Sequence, residues 1–194
     1  RILMEKVPSS ERFLTDIISA MRDFRVIRLC YQSFRHPEPF CFNVRPYCVK
    51  YFKQRWYLLG DSDLGLRIYS LDRFVDMEEL EEHFEIPKGF DAEEYFGNYF
   101  GVIIGEEPED VKIRVVPDQV KYFRTLPLHG SQRETVQEDG SSVFSYHIAP
   151  TFDFVQEILS HGADVEVLEP AELRESIADI IAGMASRYGL PVSR

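Results

Sequence analysis

The stretch Arg55-Trp56-Tyr57-Leu58-Leu59-Gly60, followed by Leu66-Arg67-Ile68-Tyr69-Ser70-Leu71-Asp72-Arg73-Phe74, decides how the first half of this chain folds. It holds the only tryptophan and sets cations beside aromatics on two adjacent segments of strand character. In a strand Trp56 and Tyr57 point to opposite faces. The large apolar area of tryptophan favours Trp56 as the core residue, leaving Tyr57 as a polar handle on a groove. Asp61-Ser62-Asp63-Leu64-Gly65 reads as the hairpin loop between the two strands, with 66–74 pairing back. In a regular strand Arg67, Tyr69, Leu71 and Arg73 would share one face, where Leu71 sits awkwardly beside two arginines. A bulge or bend there would resolve the conflict, or one of the arginines is not in the site.

Outward from this hairpin, Leu14, Ile17, Ile18 and Met21 form one apolar face, predicting a helix over 9–24 with Ser10 as its cap. The period then changes to two at Ile27, Leu29 and Tyr31. Pro37-Glu38-Pro39 is a loop, and 41–53 is a long β-like run whose Pro46 must lie at an edge or a bend. Short, bent strands after one helix predict a small closed barrel.

Residues 76–110 read as connective, with the charge run Met77-Glu78-Glu79-Leu80-Glu81-Glu82 as a solvated face. The aromatic, glycine-punctuated stretch 90–102 is too apolar for a free linker, and Glu106-Glu107-Pro108-Glu109-Asp110 is the best boundary. Beyond it come a strand over 111–116, a helix over 117–126 opened by Pro117 and Asp118, and two strands about the Asp139-Gly140 turn. A helix over 152–160 stopped by Gly162, a strand over 163–168 and a helix over 170–188 complete the chain. That last helix carries Leu173, Ile177, Ile180, Ile181, Met184 and Tyr188 on one side. The order β-α-β-β-α-β is ferredoxin-like, with an extra C-terminal helix.

The 194 residues carry a net charge of −11, unevenly spread. Residues 1–75 hold 13 basic and 8 acidic side chains, a net +5, while 76–194 hold 9 and 25, a net −16. A basic part joined to an acidic part predicts a local anion site rather than general affinity for duplex DNA, although simple solubility is the competing explanation. No apolar run approaches the roughly 20 residues of a membrane helix. Cys30, Cys41 and Cys48 are odd in number and form no C-x-x-C pair, so reduced thiols and a cytoplasmic location are expected. The chain opens on Arg1 in mid-pattern and reads as a fragment with sequence missing upstream.

Enzymatic signatures are missing. There is no G-x-x-x-x-G-K-[ST], no G-x-G-x-x-G opening a helix and no G-x-S-x-G elbow. His36, His83, His129, His147 and His161 are scattered without metal-ligand spacing, and His129 beside Ser131 does not make a triad. Neither catalysis, a cofactor nor a metal is expected.

Five segments in order carry a family likeness: Tyr31-Gln32-Ser33; Val44-Arg45-Pro46-Tyr47; Arg55-Trp56-Tyr57-Leu58-Leu59-Gly60; Arg67; and Leu71-Asp72-Arg73. Over roughly 9–80 the chain resembles the WYL domain of bacterial transcriptional regulators. Leu128-His129-Gly130-Ser131-Gln132, the Asp139-Gly140 turn and 165–174 resemble the C-terminal extension that often follows it. The resemblance implies an Sm-like or SH3-like barrel over 1–84, a connecting segment over 85–110 and the ferredoxin-like domain over 111–194. It also implies a sensing role. An anionic effector, an oligonucleotide or a cyclic nucleotide, would be held by Tyr31, Ser33, Arg45, Tyr57, Arg67 and Arg73. The second domain would serve homodimerisation, and duplex DNA would be met only through a helix-turn-helix absent from this chain. Arginine forks suit phosphate. The alternatives stay open: Arg73 pairing with Asp72, Arg45 capping a strand, Lys50, Lys53 and Arg55 forming a solvated hairpin tip, and the barrel being a protein-interaction module without a small ligand.

Overall fold

The computed structural model describes residues 11–105 and 107–191, so the Ser10 cap lies outside the described residues. The chain divides into two compact units, Arg1–Ala92 and Glu93–Arg194.

In the first unit, helix α1 (Leu14–Arg22) precedes strands β1 (Arg25–Tyr31), β2 (Phe40–Phe52), β3 (Arg55–Ser62) and β4 (Gly65–Ser70), a 3-10 turn (Leu71–Arg73) and β5 (Phe74–His83). Helix α1 ends where Phe24 takes a positive φ of 51°, and it buries Ile17 and Ala20, with Phe13 just before it, rather than Ile18, which is exposed. The sheet order is β4-β3-β2-β1-β5, all antiparallel. The sheet curls so that Tyr69 of β4 meets Tyr31 of β1, ring centroids 5.5 Å apart. Ile27, Leu29, Val44, Leu58 and Leu71 fill the resulting barrel. Pro46 fits because β2 pairs with β1 only up to Val44, and the β2–β3 register shifts immediately beyond it. Lys53 and Gln54, both at positive φ, form the two-residue turn between β2 and β3.

Three expectations are corrected here. The charge run 77–82 is not a connector but most of β5, an edge strand whose glutamates face solvent. Charge along an edge deters pairing with another chain, which explains why a strand wears this composition. The hairpin loop shrinks to Asp63-Leu64, and the paired strand stops at Ser70, where the 3-10 turn buries Leu71 and removes it from the arginine face. Finally, Cys30 and Cys41 are joined by a disulfide, because the β1–β2 register sets them directly opposite each other. Only Cys48 is free.

In the second unit the order is β6 (Glu109–Val115), α3 (Pro117–Thr125), β7 (Arg133–Val136), β8 (Ser142–Ile148), α4 (Phe152–Ser160), β9 (Val165–Glu169) and α5 (Ala171–Arg187), after the short α2 (Ala92–Phe96) at the boundary. The sheet order β7-β8-β6-β9 is the antiparallel ferredoxin-like arrangement. Segment 98–103 packs onto this unit. Tyr99 bridges Ala149, and the Asp153 carboxylate accepts the N–H groups of Val102 and Ile103 at 2.8 and 3.1 Å. Helix α5 buries Leu173 and Ile177, but Ile181, Met184 and Tyr188 on the expected apolar side are exposed. No helix among the described residues is long and apolar enough to cross a membrane.

Gly60 is required by close approach: a Cβ there would overlap Val44 Cγ1 and lie 3.2 Å from the Arg45 carbonyl oxygen. Gly60→Ala is expected to destabilise the protein by about 1–3 kcal/mol through overpacking. Gly130→Ala, at a position with open space, should stay within about 0.5 kcal/mol of wild type. Urea midpoints at unchanged m-value decide both. A second prediction concerns pH. Arg124, with Nη2 at 2.6 Å, and the Ser142 hydroxyl, also at 2.6 Å, hold the Glu134 carboxyl below its usual range. A depressed carboxyl pKa stabilises the fold above the unfolded value and loses that effect as pH falls. Glu134→Gln should therefore be less stable at pH 7, by less than about 1 kcal/mol for so exposed a pair. Melting curves should converge as pH drops through and below the ordinary glutamate value of about 4.3.

Candidate functional site

The candidate residues gather, in part, at one mouth of the barrel. β1 ends at Tyr31, and β2 opens at Phe40 directly opposite it. Between them runs the 32–39 loop. It is internally bonded: the Gln32 side-chain amide donates to the Ser33 carbonyl at 3.1 Å and to the His36 carbonyl at 2.7 Å, and the Ser33 hydroxyl accepts the Arg35 N–H at 3.1 Å. The Gln32 N–H in turn donates to the Arg73 carbonyl at 3.0 Å, tying the loop to the 3-10 turn.

Arg73 is delivered by that turn. Its guanidinium carbon sits 3.8 Å over the ring of Phe34, and its Nε is buried with no hydrogen-bond partner among the described residues. The Tyr31 hydroxyl accepts the Ser70 N–H at 3.4 Å; burial pushes this phenol up, and the neighbouring Arg73 cation opposes the shift. Asp72, which the sequence left open as a partner for Arg73, is taken instead by Arg55 at 2.7 Å and by the Ser70 hydroxyl. A guanidinium stacked on an exposed aromatic ring sets a cation and a flat ring side by side at the mouth.

Arg67 belongs to an adjoining groove of about 550 Å³, lined by His36, Pro37, Glu38, Pro39, Phe40, Leu64 and Arg67. Its Nε donates to the Leu64 carbonyl at 3.0 Å, which orients the guanidinium. Aromatic contacts run inward from this groove. His36 lies edge-on to Phe40, Phe40 stacks on Phe42 with centroids 5.1 Å apart, and Phe42 meets Tyr69. The 32–39 loop therefore touches both the Arg73–Phe34 pair and the Arg67 groove.

Other candidates lie elsewhere or are engaged. Arg45 pairs across the strands with Asp61 at 3.0 Å. Tyr57, half-buried on β3, stands opposite Ser70 and Lys50 and does not line the groove. Ser33 is used in the local turn already described. Trp56 is half-buried, packed against the core and tilted over Tyr51 at 5.0 Å. Phe34, His36, Phe40 and Leu64 were not foreseen; two phenylalanines flanking a proline-rich loop were the available signal. In the second unit, the Ser131 hydroxyl lies 2.8 Å from His129 Nδ1 and accepts the His147 N–H at 3.0 Å. These bonds stitch a turn to β8 rather than assemble a nucleophile. Among the described residues no group of three or more His, Cys, Asp or Glu could hold a metal ion.

The WYL domain family matches residues 12–79, and the WCX domain family matches residues 107–185. The chain carries a WYL domain followed by a WCX domain. No curated protein matches it. Among solved structures, a CRISPR Cas-related protein shares the fold at a TM-score of 0.53 and 16% identity, over 91% of this chain and 51% of that one. The proteasome accessory factor B/C (PafBC) of Arthrobacter aurescens is similar at 20% identity and a TM-score of 0.39, over 96% of this chain and 28% of that one. The chain thus spans about half and about a quarter of these two proteins. The barrel mouth described above belongs to the WYL domain.

Asp72 ties the 3-10 turn that carries Arg73 to Arg55 and Ser70. Asp72→Ala removes the partner of Arg55 and Ser70 and should destabilise the protein by about 1–3 kcal/mol, as expected for unpairing charge-assisted bonds. Ser70→Ala, which leaves the ion pair, should cost less; chemical denaturation of the two variants makes the comparison.

Proposed function

We propose that the WYL unit is the effector-sensing module of a bacterial transcriptional regulator, taking a nucleic-acid-derived anion at the barrel mouth. The observation that carries this reading is Arg73, stacked on Phe34 with a buried, unpartnered Nε. The Arg73 guanidinium and the Arg67 fork would bind phosphate oxygens, while Phe34 and Phe40 would offer stacking faces to bases. Tyr31 would hold Arg73 in place from below. Arg45, Tyr57 and Ser33 would then act through the scaffold. The WCX unit would serve dimerisation, and DNA contact would come from sequence outside this chain, in a cytoplasmic protein. The module would bind rather than catalyse, since the pocket residues include no nucleophile with an oriented base.

A labelled single-stranded oligonucleotide followed by anisotropy tests the site. Arg67→Ala/Arg73→Ala should weaken binding at least tenfold. It should also reduce the slope of log affinity against log salt by about 1.4, as expected for two lost phosphate contacts on a single strand. Unchanged affinity and slope would overturn the assignment. A second reading, a protein-interaction module without a small ligand, draws on how far the WYL unit neutralises its own arginines. Arg25, Arg45 and Arg55 pair with Glu79, Asp61 and Asp72 inside the unit. A wild-type chain that binds no oligonucleotide at low salt, and releases nothing absorbing near 260 nm when denatured, favours that reading.

A further inference from the structure

The Cys30–Cys41 disulfide closes the base of the loop that carries Phe34 and lines the Arg67 groove. The two cysteines are opposed across β1 and β2, one register step from the Tyr31–Phe40 pair at the barrel mouth. By strand alternation they point away from the face that buries Leu29 and Tyr31, and Cys41 is exposed. Breaking this bond therefore removes no core packing, and a small thiol can reach it.

We propose that Cys30–Cys41 is a reversible redox modification site that sets the order of the 32–39 loop. Attack by the thiolate of a low-molecular-weight thiol on one sulfur forms a mixed disulfide and releases the other cysteine thiolate. A second thiol molecule resolves the mixed disulfide. Two electrons and two protons pass to the cystine, giving two cysteine thiols and one low-molecular-weight disulfide, and the reverse exchange regenerates the bond. Exposed disulfides in reducing compartments are characteristically transient and redox-sensing, whereas structural ones resist the thiol pool. Cys48 is a built-in control. It is half-buried on β2 and has no disulfide partner; burial pushes its thiol up, which slows its chemistry.

The oxidised bond tethers both ends of the loop. The Gln32 and Ser33 hydrogen bonds do not involve the cysteines, so reduction should loosen the loop without unfolding it. Building on the anion-site reading, the oxidised form is the pre-organised one, and reduction should weaken oligonucleotide binding by roughly five- to tenfold.

The experiment uses the full chain equilibrated in glutathione buffers of varied oxidised-to-reduced ratio. Alkylation with mass spectrometry reads the thiols, and trypsin reads the loop at Arg35, the exposed basic residue within it. Cys30 and Cys41 should titrate together while Cys48 stays a thiol. Cleavage after Arg35 should accelerate severalfold on reduction, and should be fast under all conditions in Cys30→Ser/Cys41→Ser. Cys48→Ser should switch like wild type. A pair that stays reduced in oxidised glutathione, a pair that never reduces, or equal cleavage in both states overturns the proposal. If cleavage switches while the oligonucleotide binds neither form, the redox site stands and the anion-site reading fails.

Discussion

The Asp72 carboxylate organises the first unit. It accepts from Ser70 and from Arg55, and by doing so fixes the short 3-10 turn between β4 and β5. That turn accomplishes three things within three residues. It drops Leu71 into the barrel core, redirects the chain into the edge strand that completes the sheet, and sets Arg73 at the mouth beneath the 32–39 loop. A regular strand through 66–74 would have placed Leu71 among the arginines. The site is thus a by-product of the way the barrel turns its last corner.

Much of the second unit was legible because each boundary carries a chemical sign. Pro117 opens α3, Gly140 at positive φ makes the β7–β8 turn, and Gly162 at positive φ follows α4. These signs act locally, so a sequence pass can read them. What was missed required tertiary knowledge. β5 was hidden because an edge strand needs no apolar alternation on its free side, and its glutamates imitate a solvated connector. The Cys30–Cys41 pairing depends on the β1–β2 register, which no spacing rule encodes. The apolar side of α5 was legible but its exposed half was not, because periodicity shows which residues share a face, not whether anything covers them.

The candidate site follows the same division. Arg67 and Arg73 were expected as phosphate-type donors, and both border the 32–39 loop, while the bend at Leu71 was anticipated from a conflict of faces. The fate of Arg45 was not, since its partner Asp61 sits across a strand pair. Tyr31 was expected as a ligand contact; it is a buried ring whose hydroxyl meets Ser70 and whose cationic neighbour is Arg73. The loop aromatics, Phe34 and Phe40, complete a surface on which cations and rings alternate. That alternation, rather than the tripeptide around Trp56, is what the proposed anion site rests on.

Photo-crosslinking tests the central claim most directly. A single-stranded oligonucleotide carrying bromodeoxyuridine, irradiated with the full chain and mapped by mass spectrometry, reports which side chains face the bases. The account predicts adducts on Phe34 and Phe40, suppressed by unlabelled competitor and lost in Arg73→Ala. Adducts confined to the WCX unit or to the Lys53–Arg55 turn, with the loop unmarked, would contradict it.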